Sequence, residues 1–359
     1  MPADYLEIAD FLVQRDTCPV VDVRSPGEFH RGHIPQASNL PLLDDAERCE
    51  IGTLYKRSGR AAAIARGHEL VDPKIESMVA GFQQLAPDGR LLLHCWRGGL
   101  RSEAVAQLLR ERGLSPQTLK GGYRAYRRDV HQRLGMKRPL VVLGGLTGTG
   151  KTEVLGELRA LGEQVVDLEQ LASHRGSAFG ALGRPAQPTV EHFENQLAEL
   201  WSGFDPGRLV WIEDESRKIG RVVIPEPIWA QMRAAPVIRI AVEREARVHF
   251  LVEQYGDLPL PGLLQATESI QKRLGPQRLQ LATRALHAGD LCDFVRIVLE
   301  YYDQAYSRSA QKYPRDRECV FVMKVPVETG RIEPLRQLGY DLAQAMPQTG
   351  FPPKPCVSA

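Results

Sequence analysis

The sequence predicts an α/β protein of two domains, each a parallel sheet covered by helices. Three observations carry this. Short apolar runs with polar ends alternate with stretches of helical periodicity, the signature of parallel strands joined by crossover helices. The alternation occurs twice, on either side of a basic polar stretch from His131 to Arg138 (HQRLGMKR). The chain also has 359 residues, more than one hydrophobic core ordinarily serves.

Taken in order, Tyr5, Ile8, Phe11 and Leu12 fall on one stripe and predict a helix over 4–15. Pro19 to Arg24 (PVVDVR) reads as a buried strand, as do Leu91-Leu92-Leu93-His94 and the residues around Leu119. The first domain is therefore placed at 1–130 and the connector at 131–138. The second domain, 139–347, opens with a strand at Leu140 to Leu143 and continues with a glycine-rich turn and a helix from Lys151 to about Leu161. Further strands are expected at Val165 to Leu168, Leu209 to Ile212 and Val237 to Ile240, followed by a helical region from Arg244 through Tyr301. Residues 348–359, with three prolines, are expected to form a loose tail.

Composition narrows the function classes. Lys plus Arg less Asp plus Glu is 46 − 44 = +2, so no global charge excess points to a polyanion or a membrane surface. Hydrophobic residues at 43% and charged residues at 25% exclude disordered and fibrous classes. The six cysteines (18, 49, 95, 292, 319, 356) contain no Cys-x2-Cys pair, so neither a metal cage nor a disulfide scaffold is expected; Cys292 and Cys319 read as core. The N-terminus lacks the pattern of a signal peptide, and no apolar run is long enough to span a bilayer. A cytoplasmic, monomeric enzyme or switch with no membrane partner is the expectation.

Two chemical sites stand out. His94-Cys95-Trp96-Arg97-Gly98-Gly99-Leu100-Arg101-Ser102 follows an apolar strand and precedes a helical run. Cys95 then sits at a strand's carboxyl end, where loop amides, a helix N-terminus and Arg101 favour an anion and a thiolate. Gly98 and Gly99 let the backbone wrap a tetrahedral oxyanion, and Arg97 adds a second cation. An inert buried cysteine is the competing reading; it leaves the glycines and arginines unexplained. The second site is Gly145-Leu146-Thr147-Gly148-Thr149-Gly150-Lys151-Thr152, matching G-x4-G-K-[ST] between a strand and a helix. The loop amides at Gly145, Gly148 and Gly150 would cradle phosphate, Lys151 would reach the terminal phosphate, and Thr152 would hold Mg²⁺ at this loop. This makes the second domain P-loop NTPase-like. Among Glu213-Asp214-Glu215 at the end of a strand, Asp214 is chosen as the metal-side carboxylate, with a solvated acidic strand end weighed evenly against it. Asp167, at another strand end, would orient substrate or cap a helix.

Cations gather in three groups: Arg217, Lys218 and Arg221; Lys272, Arg273, Arg278 and Arg284; and Arg124, Arg127, Arg128, Lys137 and Arg138. Each alone reads as a solvated face. Flanking two anion sites, they suggest a polyanion lying across both domains, with Tyr123, Tyr126, Tyr301 and Tyr302 as surfaces for base stacking or as packing residues.

Val21 to Phe29 (VDVRSPGEF), Gly32 to Ala37 (GHIPQA) and Leu119 to Ala125 (LKGGYRA) resemble successive motifs of rhodanese domains. That resemblance implies a loop cysteine carrying sulfur or selenium. Cys95 and Arg101 enclose five residues, a longer loop than sulfur-transferring rhodaneses usually have, similar to related phosphatases and suited to a phosphorylated chalcogen donor. A rhodanese domain joined to a P-loop domain, with Asp167-Leu168-Glu169, His174-Arg175-Gly176-Ser177 and Glu215 to Gly220 (ESRKIG), resembles the tRNA 2-selenouridine synthase family. The resemblance implies replacement of sulfur by selenium in wobble 2-thiouridine, with selenophosphate as donor and a geranylated intermediate made from geranyl diphosphate. The partners it implies are the anticodon arm of tRNA and a small-molecule diphosphate. Cys95 would handle the chalcogen, Arg101 and the amides of 97–100 would hold the oxyanion, and Gly150, Lys151 and Thr152 would bind diphosphate. Covalent selenium on Cys95 and merely assisted attack remain open, as do geranyl diphosphate and a nucleotide on the phosphate loop. The rival functions are a phosphatase or sulfurtransferase fused to a small-molecule kinase, and a non-catalytic, nucleotide-gated RNA-binding switch.

Overall fold

A computed structural model describes residues 5–312 and 317–345. The expected tail at 348–359 lies outside the described residues. The chain divides into one compact unit of Met1–Arg133 with Glu194–Glu199, and a second of Leu134–Phe193 with Leu200–Ala359.

The first unit is built on five strands: β1 (Tyr5–Leu6), β2 (Val20–Asp22), β3 (Ser38–Asn39), β4 (Arg90–His94) and β5 (Ser115–Leu119). Their order is β1-β5-β4-β2-β3, and every pair is parallel. The apolar centre of β4 (Leu91, Leu92, Leu93) is fully covered, as a strand with helices on both faces must be. The N-terminal stripe is only partly as expected. Tyr5 and Leu6 pair with Thr118 and Leu119 as a strand, and the helix begins at Ile8, because the edge of β5 supplies backbone partners that the periodicity does not reveal. The helix Gly122–Leu134 runs through the first half of the expected connector.

The second unit has β6 (Leu140–Gly145), β7 (Gln164–Val166), β8 (Val210–Glu213), a hairpin of β9 (Lys218–Ile219) and β10 (Val222–Val223), β11 (Val237–Ala241) and β12 (Glu318–Val322). The main sheet runs β12-β11-β6-β8-β7, again all parallel. Its core holds Val141, Leu143, Leu155, Trp211 and Ile238, while a second cluster around Phe179, Leu251, Tyr255 and Phe294 joins the helices after Arg244. In this sheet β6 lies between β11 and β8, so the loop after β6 and the end of β8 open at the same edge. That edge carries the second site. Among the described residues, no helix is long and apolar enough to cross a membrane.

Candidate functional site

In the first unit, Cys95 follows β4 directly and stands before the helix Leu100–Glu111, whose N-cap is Gly99. The loop is held by close backbone packing against the turn at 119–122. Gly98 has φ +62° and Gly122 φ +59°, and a Cβ on Gly122 would lie 2.4 Å from both the Cys95 carbonyl and the Gly98 nitrogen. Only glycine fits both conformation and space there. The helix that begins at Gly122 then donates from Tyr123 N to the Cys95 carbonyl (2.8 Å) and from Arg124 N to that of Trp96 (3.0 Å). Gly98 and Gly122, far apart in the sequence, are thus two halves of one contact.

Cys95 is 3% exposed and shares a hydrophobic cluster with Val23, Val105 and Ala106, but its sulfur also has a polar neighbour. Sγ lies 3.3 Å from the hydroxyl oxygen of Ser102, which is also 3.1 Å from the Gly99 carbonyl oxygen. Burial opposes ionisation, yet the Ser102 hydroxyl, the main chain at Gly99 and Ser102, and the charge of Arg101 outweigh it and lower the thiol's pKa. The Arg101 guanidinium bonds the Glu28 carboxylate at 2.6 and 3.3 Å, and its charge acts on Cys95. Arg97 is exposed.

Beneath the loop lies a polar core that sequence reasoning quoted only as part of a motif. Asp22 and Arg24 form a fully buried ion pair with contacts of 2.6–3.0 Å, Arg24 also donates to the Gly32 carbonyl at 2.7 Å, and its guanidinium stacks 3.8 Å above the Tyr123 ring. His94 sits beside them with its Nε2 3.7 Å from Asp22, and burial pulls its pKa down to about 4, leaving it neutral at physiological pH. Tyr123 and Tyr126 are fully buried, so neither can stack on a base: aromatic packing in the first unit absorbs both.

In the second unit, the glycine-rich turn joins β6 to the helix Lys151–Ala160. Gly145, Gly148, Gly150, Lys151 and Thr152 all line one cavity of about 820 Å³. Lys151 Nζ donates to the Gly145 carbonyl (3.2 Å) and Thr152 Oγ1 to Glu169 (3.4 Å). The turn is braced by Arg247, a buried side chain that bonds both oxygens of Asp303 at 2.8–2.9 Å and the Thr147 carbonyl at 3.2 Å. Asp214, the carboxylate chosen from the sequence, lines the cavity but its Oδ2 accepts from Tyr306 (3.4 Å). Three other carboxylates cluster instead: Glu169, Glu213 and Glu215 each offer an oxygen within 4.8 Å of the others. Burial and mutual repulsion, opposed by Lys151, raise the Glu215 pKa to about 8 and Glu213 well above the usual range. Glu213 is fully buried, and its Oε1 has no hydrogen-bond partner. Such a cluster fits a divalent cation beside Thr152. Asp167 caps the helix Leu168–Leu171 through Gln170 N (2.8 Å), one of the two roles expected of it.

Of the cations expected to bind RNA, Arg217 and Arg273 line this cavity. Arg217 pairs with Glu226 (2.6 Å) and Arg278 with Glu300 (2.5 Å), while Lys218, Arg221 and Lys272 are exposed. Tyr301 and Tyr302 line the cavity too, alongside Phe179, Leu251 and Tyr255.

Comparison with known proteins gives a consistent result. The model of the tRNA 2-selenouridine synthase AAA domain matches residues 138–324, and that of the rhodanese-like domain matches residues 7–129. A tRNA 2-selenouridine synthase of Cupriavidus pinatubonensis is 38% identical over 335 residues, covering 82% of this chain and 89% of that protein. One of Pseudomonas fluorescens is 37% identical over 342 residues, covering 85% and 90%. One of Chromohalobacter salexigens is 37% identical over 331 residues, covering 82% and 89%.

Proposed function

The chain belongs to the tRNA 2-selenouridine synthase family, and on that premise we propose that it replaces sulfur by selenium in the wobble 2-thiouridine of tRNA. Selenophosphate supplies the selenium, and geranyl diphosphate first alkylates the sulfur. In that first step the sulfur attacks C1 of the geranyl group, the carbon–oxygen bond breaks and diphosphate leaves. The thioether is a better leaving group than the sulfur it replaces. The Cys95 thiolate takes the phosphoryl group of selenophosphate as the phosphorus–selenium bond breaks, water then releases it as phosphate, and the freed selenide bonds to C2 of the base as the geranyl thiolate departs.

The observation that carries this reading is the Cys95 thiol, biased toward ionisation by Ser102 and Arg101 at the start of a helix. A thiolate there is the nucleophile that handles selenium. Arg101 acts through its charge, with Glu28 fixing its position, and Gly98, left-handed and packed on the turn at 119–122, shapes the loop. The cavity in the second unit supports a diphosphate ligand with an apolar tail. Gly150, Lys151 and Thr152 meet the phosphates, and Phe179, Leu251 and Tyr255 offer an apolar wall. Glu169, Glu213 and Glu215, with Thr152, would hold Mg²⁺, which would supply charge neutralisation to the diphosphate.

Mass spectrometry of nucleosides from thiolated tRNA incubated with the protein and selenophosphate, with and without geranyl diphosphate, tests the reading. Selenouridine formed only when geranyl diphosphate is present, with S-geranylated nucleoside when selenophosphate is withheld, is the expected result. Thiouridine left unchanged under all conditions would refute it.

A further inference from the structure

Several arginines that the fold buries or half-buries have a carboxylate: Arg24 has Asp22, Arg101 has Glu28, Arg239 has Glu318 and Arg247 has Asp303. Three arginines that line the P-loop cavity, the half-buried Arg175 and Arg184 and the exposed Arg273, do not. Arg175, Arg184 and Arg273 make no ion pair or side-chain hydrogen bond among the described residues, and the Nε of Arg184 is buried without a partner. Guanidinium groups left unpaired in a concave site are matched to a planar or tetrahedral anion supplied from outside. The P-loop already has its own donors for a phosphate in the backbone amides, Lys151 and Thr152, so these three are surplus to one diphosphate. Glu169 acts on Arg184 through its charge without an ion-pair contact, while Glu169, Glu213 and Glu215 face one another beside Lys151.

The cationic lining also continues outward. Arg273 lies on the exposed short helix Gln271–Leu274 beside the exposed Lys272, and Arg217 stands beside the exposed Lys218. A ligand that uses both the cavity and this rim is a chain of phosphates rather than a single compact molecule. Tyr302, half-buried on the cavity wall, adds an aromatic ring of the kind on which unpaired bases stack.

We propose that Arg175, Arg184 and Arg273 form a second anion subsite in the P-loop cavity, which takes a backbone phosphate of the RNA substrate. This rests on the function proposed above, because it presumes that the chain binds tRNA. The subsite holds the strand by its phosphodiester while the P-loop holds the small diphosphate, so the two ligands share a cavity and not a set of donors.

The test uses the full-length protein, fluorescently labelled thiolated tRNA, and geranyl diphosphate as the small-ligand probe. Arg175→Ala, Arg273→Ala and Arg184→Gln are compared with wild type from 50 to 200 mM salt, with thermal melts confirming that each folds. Each variant is expected to weaken tRNA binding by about tenfold and to lower the slope of log affinity against log salt by about one. Calorimetric affinity for geranyl diphosphate should stay unchanged. Unaltered tRNA affinity and slope in all three variants would overturn the subsite. Loss of geranyl diphosphate binding in parallel with tRNA would also overturn it, by assigning the arginines to the P-loop ligand. A wild-type protein that does not bind tRNA at all would instead sink the proposed function, and the subsite with it.

Discussion

At the scale of single residues, the chemistry of the first unit turns on one hydroxyl. Ser102 is buried, 3.3 Å from the Cys95 sulfur, and its hydrogen bond favours the thiolate while burial opposes it. Ser102→Ala should raise the thiol's pKa, and its alkylation by iodoacetamide at pH 7 should slow several-fold, while the fold melts near the wild-type temperature. An unchanged pH profile of alkylation would leave Ser102 with no part in activating the sulfur. The sequence made Cys95, Arg101 and the P-loop lysine legible because glycine and charge surround them in short motifs. It did not make the acidic cluster legible. Asp214 is the middle of three consecutive acids, but alternation along a strand end sends neighbours to opposite faces, so Glu213 and Glu215 share a side that Asp214 does not. Glu169 joins them from another strand–helix junction, and no spacing rule links it to residue 213.

At the scale of elements, the cysteine loop depends on its contact with the turn after β5. Gly122→Ala would place a Cβ 2.4 Å from two backbone atoms and force a left-handed conformation, costing about 2–4 kcal/mol. Gly99→Ala, with φ −134° and no heavy atom within 4 Å, should change stability by less than about 0.5 kcal/mol. Chemical denaturation of the two variants separates them, and equal losses would mean that the contact does not hold the loop. Most strands of both sheets were readable as apolar runs between polar residues. Two kinds of element were not. The short strands β1 and β3 have two residues each and exist only because a neighbour pairs with them. The edge strand β12 has Val320 and Val322 exposed, and it follows a long helix, so no pattern of burial announces it.

At the scale of the whole molecule, stability should carry the imprint of the buried acids. Glu215 has a folded-state pKa of about 8 against an ordinary value of 4.5, so between these values the native protein binds more protons than the unfolded chain. Its contribution is therefore present at low pH and lost as pH rises through 8. Thermal melts of Glu215→Gln should show a larger gain over wild type at pH 8 than at pH 5, and Mg²⁺ should narrow the difference at pH 8. A gain that is the same at both pH values would remove the repulsive cluster. The two-domain plan was legible because the strand–helix alternation restarts after residue 138, where the match to the AAA domain also begins. The cavity's third dimension was not: Arg273 is far in sequence from Arg175 and Arg184, and only the helices after β11 bring it to the P-loop.

The central claim is that Cys95 is the group that handles selenium. Nucleoside mass spectrometry of thiolated tRNA treated with Cys95→Ser protein, selenophosphate and geranyl diphosphate addresses it most directly. The account predicts geranylated thiouridine without selenouridine; selenouridine at the wild-type yield would contradict it.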